Sequence, residues 1–192
     1  DLCSILHDWK RCLEVCNSFL IKSPENEMVS TLKLRCLDNI NEDWCEVEIK
    51  SLSQLFSKYT FSLSQNIPLI ANILINHGNY EEGLEILYKN KEKNEVRSTY
   101  IFAILTYTQK NEDKNFLKEY EEVIDGCWVK YEINNETHFY EMSNNSDNLY
   151  KILLGHKVGD IFSINGQLVN KDYSISVLRI MDKYLYLHDE IF

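Results

Sequence analysis

The sequence predicts an α+β fold in two parts: an all-helical array of hairpins over residues 1–124, then a small antiparallel sheet with one short helix over residues 125–192. Three observations carry that reading. Residues 1–124 hold only Pro24, Pro68, Gly78 and Gly83 as strong breakers, a scarcity that favours long helices. Their apolar residues recur at three-to-four spacing, the period of a helix with one buried face. From Asp125-Gly126 onward the period shortens to two, the mark of strands.

The helices follow in order. Leu2, Ile5, Leu6, Trp9, Leu13, Cys16 and Leu20 place an amphipathic helix over residues 2–22. Ser23-Pro24-Glu25 offers a capping hydroxyl, a proline suited to a first turn and an acid facing the helix dipole. A second helix is therefore expected from there to about Leu37. Asn41-Glu42-Asp43 opens a third, carrying Trp44, Val47, Leu52, Leu55, Phe56 and Tyr59. Pro68 to His77 reads as an apolar helix, and Gly78 as the turn into the next. Residues 96–109 and 113–124 read as a further helix pair.

Residues 64–97 resemble a tetratricopeptide repeat (TPR), a helix-turn-helix unit of about 34 residues. Ala71 and Gly83 fall where that family keeps small residues at a close helix crossing, and Tyr80 and Leu87 where large residues wedge the pair. The large aromatic common early in the first helix is missing, and Asn90 stands where a small residue is usual. The resemblance implies stacked antiparallel hairpins, with Ala71 against Gly83.

In the second part, Cys127, Val129, Tyr131 and Ile133 alternate with Trp128, Lys130 and Glu132, a first strand. Asn134-Asn135 signals a hairpin turn into a second strand, Thr137 to Met142. A polar loop, Ser143 to Asp147, caps a short helix that stops at Gly155. Asp160 to Ile164 reads as a third strand, Asn165-Gly166 as a turn and Tyr173 to Ile180 as a fourth strand. Leu153, Leu154, Val158, Ile161 and Ile164 are expected in a shared core. Tyr184 to Phe192 alternates through Tyr184, Tyr186 and His188, and reads as a further strand or the start of a following segment.

The run Leu153-Leu154-Gly155-His156-Lys157-Val158-Gly159-Asp160-Ile161 resembles the C-terminal domain of the bacterial transcript-cleavage factors GreA and GreB. In that family a short helix ends in a Leu-Leu-Gly-Lys-x-x-Gly-Asp run, and an alternating last strand follows, here Tyr173 to Ile180. The likeness covers about residues 125–181 and implies an FKBP-like fold, a curved antiparallel sheet over one short helix. Leu153, Leu154, Gly155, Lys157, Gly159 and Asp160 are then structural motif positions. The family grips a coiled coil of RNA polymerase around its short helix and the preceding loop, which implies partner contacts at Ser146, Asp147, Asn148, Tyr150 and Lys151. The Ser-Pro dipeptide that usually precedes that helix is absent. So is the acidic coiled coil with which these factors promote cleavage, and that activity is not expected here. Helical repeats followed by such a domain resemble the middle of large bacterial proteins of defence or toxin-like systems that end in a PIN-type ribonuclease domain. Asp1 in place of an initiator Met fits a fragment of such a protein, with the nuclease outside this chain.

Composition narrows the function classes. The net charge is −10, and both parts are acidic, with 14 Lys/Arg against 20 Asp/Glu over 1–124 and 6 against 10 over 125–192. Neither has the basic footprint that holds a phosphate backbone, so no direct nucleic-acid binding is expected. No apolar run approaches the ~20 residues of a membrane span. Of the six cysteines, Cys12 and Cys16 share a helix face at i, i+4 beside His7. A structural zinc site usually takes four ligands from two paired clusters, and no second pair exists. The cysteines are read as buried free thiols in a reducing cytoplasm, and no metal or cofactor is expected. The five histidines are scattered, with no motif pairing any of them to a nucleophile, and there is no Gly-rich phosphate loop. The chain is thus expected to be a non-catalytic, cytoplasmic protein-interaction module. A transcription-associated factor that docks on RNA polymerase is the alternative. A third reading is an FKBP-like prolyl isomerase whose pocket would use Trp128, Phe139, Tyr140 and Phe162, residues better read as core.

Overall fold

The computed structural model describes residues 8–59, 61, 65–93, 96–97, 99, 117–166 and 171–191. The protein is α+β: among the described residues there are seven helices and one four-stranded antiparallel sheet. The chain divides into two compact units, Asp1–Glu112 and Asp113–Phe192. The division thus falls earlier than the join expected at Asp125.

In the first unit, α1 (Trp9–Leu20) starts at Asp8, whose side chain accepts from the Arg11 N–H. It buries Cys12, Leu13 and Cys16 and packs on α2 (Glu27–Ile40). The cap of α2 is Asn26, which accepts from the Val29 N–H at 3.0 Å, and not Ser23. Ser23 accepts from the Asn26 N–H to close a turn around Pro24, so the helix begins only after that turn. Asn41, at φ 48°, ends α2 in the left-handed region. α3 (Cys45–Phe56) buries Ile49, Leu52 and Phe56. The helix expected over 96–109 lies almost wholly outside the described residues.

Next come α4 (Asn66–Asn76) and α5 (Tyr80–Lys89), packed on each other and joined through Gly78 at φ 78°. α4 buries Ile67, Ile70, Ala71, Ile73, Leu74 and Ile75, so it is apolar around most of its circumference and lies inside the array. Its contacts with α2 and α3 are consistent with that position. At the α4–α5 crossing, a β-carbon added to Gly83 would lie 2.7 Å from Ile75 Cγ1 and 3.1 Å from the Ala71 carbonyl oxygen. Only glycine lets these backbones approach so closely.

In the second unit, β1 (Trp128–Ile133) and β2 (Glu136–Glu141) form a hairpin. Its turn residues, Asn134 and Asn135, have φ of 55° and 63°, the mirror-image turn that matches strand twist. β3 (Ile161–Gly166) and β4 (Lys171–Met181) complete the order β2-β1-β4-β3. Asn165 and Gly166 are paired strand residues, not the expected turn. Opposite Lys130 and Tyr131, the pairing skips from Arg179 to Val177, so Leu178 is an extra residue in β4.

The sheet separates two layers. On one face, Val129, Ile175, Val177 and Ile180 pack with Met142, Val123, Cys127 and the short helix α6 (Asn148–Leu153), which contributes Tyr150 and Leu153. On the other face lies α7 (Lys183–Ile191), whose Tyr186 stacks on Trp128 at 3.5 Å and meets Phe139 edge-on. The tail expected as a strand or a following segment is this helix. Asp182 starts it by accepting from the N–H groups of Tyr184 and Leu185, and that cap overrides the strand-like alternation.

Residues 117–124, expected as the end of a helix, run instead along the sheet unit. Tyr120 donates to Ile180, Val123 donates to His156 and accepts from Gly155, and Lys118 exchanges bonds with Asp182. Arg179 joins this strap to α7 by pairing with both Glu119 and Asp189, and Lys130 pairs with Asp189 at 3.0 Å.

Candidate interaction surface

The Leu153–Ile161 run is a helix stop followed by a tight turn. Leu153 is fully buried in the core. Gly155, at φ 82°, ends α6 and donates to Val123. Gly159, at φ 90°, donates to Val177. Asp160, directly after Gly159, closes the turn: one carboxylate oxygen accepts from the Lys157 N–H at 2.9 Å and meets His156 Nδ1 at 3.0 Å. The Lys157 N–H, seconded by His156, holds the Asp160 carboxyl below its usual range. His156 in turn stacks on Phe162 at 3.9 Å. Each motif residue thus has a geometric task in the turn, except the exposed Leu154 and the Lys157 side chain.

Several apolar residues of the run are left exposed. Leu154, Val158 and Ile161, expected in the core, are 47 %, 50 % and 72 % exposed. Leu154 follows the last turn of α6 and Val158 sits in the Gly155–Asp160 loop. Ile161, paired with Ser176, points to the sheet face opposite Phe162 and the core. The side chain of Ile164 lies outside those described.

The loop before α6 divides differently from the expectation. Asp147 caps the helix, accepting from Leu149 N–H at 3.0 Å. That bond, with a second from the Tyr140 hydroxyl, holds the Asp147 carboxyl low. Ser146 donates to Asn144 through both its N–H and its hydroxyl. Tyr150 is not displayed: its ring is in the core and its hydroxyl donates to Asp125. Ser146, Asn148 and Lys151 are exposed. A helical residue two places after Asn148 faces inward, which is why Tyr150 parts company with its neighbours.

The face of the sheet beyond α7 is open. Glu132, Asn134, Asn135, Ile161, Ser174 and Ser176 line a shallow groove there. The four aromatic residues of the prolyl-isomerase reading do not meet in a pocket. Trp128 and Phe139 pack under Tyr186 on one face, whereas Tyr140 and Phe162 pack against the core on the other.

Two clusters in the first unit are completed by residues distant in sequence. His77, at the end of α4, meets Asp38 of α2 at 3.0 Å and Glu46 of α3 at 2.6 Å. Cys12, Cys16 and Cys36 are all buried, with ligand atoms within 4.8 Å of one another, and are the metal-ligating set that converges among the described residues. Cys16, Cys36, Cys45 and Cys127 are buried free thiols as expected, but Cys12 is disulfide-bonded. Cys12 and Cys16 were paired by their i, i+4 spacing, but Cys36, and Asp38 and Glu46 for His77, come from other helices, so only the fold brings them in.

Comparisons with protein-family models, with curated proteins and with solved structures found no match to this chain. No helix among the described residues is long and apolar enough to cross a membrane.

Proposed function

We propose that this chain is a non-catalytic protein-interaction module. The observation that carries the reading is the exposed apolar set Leu154, Val158 and Ile161 around the turn after α6. A turn closed by Asp160 and two left-handed glycines leaves these apolar side chains about half or more in water, where a partner could cover them. The helical array beside it in sequence suits the same role, since such arrays serve as binding scaffolds. Its TPR-like register and the FKBP-like, GreA/GreB-type sheet are part of this proposal, as is membership of a larger bacterial protein with a PIN-type nuclease elsewhere. The test is site-specific photocrosslinking in a bacterial host, with benzoylphenylalanine at position 154 or 158 and a control at Glu136. A discrete protein adduct from 154 and 158, absent from the control, supports the reading. Unselective or absent adducts at both positions count against it.

RNA polymerase is the partner favoured by the Leu153–Ile161 likeness, and the exposed Asn148 and Lys151 lie on the helix involved. Asp147 and Tyr150 are poor probes because one caps the helix and the other is core. The double change Leu154→Glu with Val158→Glu leaves the core intact and should abolish binding to a polymerase coiled-coil fragment by calorimetry. If the wild type does not bind the fragment, the likeness is one of fold alone.

A further inference from the structure

The α1–α2 hairpin gathers three sulfurs from two helices. Cys12 and Cys16 stand one turn apart on α1, and Cys36 reaches them from α2. Their exposures are 6 %, 2 % and 0 %, and their ligand atoms lie within 4.8 Å of one another. A metal–sulfur bond of about 2.3 Å places thiolates about 3.8–4.0 Å apart in a trigonal or tetrahedral site. The cluster therefore has to contract by no more than about 1 Å, within the reach of χ1 adjustment. Sulfur ligands select soft or borderline cations, zinc among them. Cys12 is disulfide-bonded to neither of the other two, which are free thiols, so one of the three sulfurs must be released by reduction before it can ligate.

We propose that Cys12, Cys16 and Cys36 form, in the reduced chain, a binding site for one Zn²⁺-class ion, which reduction of the Cys12 disulfide makes available. The redox step is a two-electron reduction by a cellular dithiol. The disulfide bond breaks, two thiols form with two protons taken up, and the dithiol becomes a disulfide. Metal binding then displaces the thiol protons as the metal–sulfur bonds form.

The test uses the full chain, reduced with a phosphine under argon and desalted, then titrated with Cd²⁺ while the thiolate-to-metal charge-transfer absorption is followed. Zn²⁺ affinity is read by competition with a chromophoric chelator. The expected result is saturation at one equivalent in the reduced chain and none in the oxidised chain. Cys16→Ser and Cys36→Ser should each weaken binding by at least the ~10–100-fold seen for loss of an outer-shell partner. Cys127→Ser, in the other unit, should bind as the wild type does. Circular dichroism of each variant separates loss of a ligand from loss of fold, and the wild-type titration stands without the variants. A reduced wild type that fails to saturate at one equivalent overturns the proposal. So does binding that survives both Cys16→Ser and Cys36→Ser unchanged, or that occurs equally in the oxidised chain.

Discussion

One imidazole links three helices of the first unit. His77 has both ring nitrogens against carboxylates, Asp38 and Glu46, and its side chain is 8 % exposed. A neutral ring donates only one hydrogen bond, so this double contact suits the imidazolium. Burial alone pulls the His77 pKa down, but the bonds from Glu46 and Asp38 outweigh it, and the pKa stands above 6.5. A raised folded pKa means that the stabilisation is complete below pH 6.5 and is lost as pH rises through the higher folded value. The melting temperature should therefore fall on moving from pH 6.5 into the alkaline range, more steeply in the wild type than in His77→Gln. Parallel profiles for the two proteins would show that the staple contributes nothing. The sequence displays His77 at a helix end but hides its role, because Asp38 and Glu46 lie more than 30 residues away.

At the scale of the element, the α4–α5 crossing was the most legible part of the first unit. Gly78, Ala71 and Gly83 in one short stretch announce a turn and a close approach, and both are present. Gly83 would gain about 1 kcal/mol of helix propensity on becoming alanine. The added carbon would press on Ile75 at 2.7 Å and on the Ala71 backbone oxygen at 3.1 Å, so the crossing would have to shift. The steric term wins: Gly83→Ala should destabilise despite its propensity, and Gly83→Leu should cost about 1–3 kcal/mol in urea unfolding. A more stable Gly83→Ala would show that the crossing relaxes freely. Less legible were elements decided by tertiary bonds. The acidic run Glu119-Tyr120-Glu121-Glu122 looks like a solvated helix face, yet its backbone is bonded to β4 and to the turn after α6. The Tyr184/Tyr186 alternation looks like a strand, but α7 buries Tyr184, Tyr186 and Leu187 together.

For the whole molecule, those misread segments define where the second unit begins. Val123 is 1 % exposed in its core, and residues 118–123 carry backbone bonds to Ile180, His156, Gly155 and Asp182. A piece cut at Asp113 should fold cooperatively on its own. A piece cut at Asp125 forfeits the burial of Val123, about 1.5–3 kcal/mol, together with the strap's hydrogen bonds. Urea unfolding of the two pieces should show the shorter one less stable by at least about 2 kcal/mol. Equal midpoints would demote the strap to decoration. The two-part α+β organisation was readable from the change of period at residue 125, but the change of period marks the first strand and not the start of the unit that contains it.

The sheet order β2-β1-β4-β3 leaves two outer strands of unlike character. β2 carries Glu136 and Glu141, charges that discourage another chain from adding to that side. β3 opens with Ile161, 72 % exposed, followed by Phe162 and Ser163, with no charged side chain from Ile161 to Gly166. When copies of this protein crowd together, as in overexpression or partial unfolding, strand addition should start along β3. Solubility is then governed by the same stretch of chain that the interaction reading uses, and a partner seated on Leu154, Val158 and Ile161 would also act as its guard against self-association.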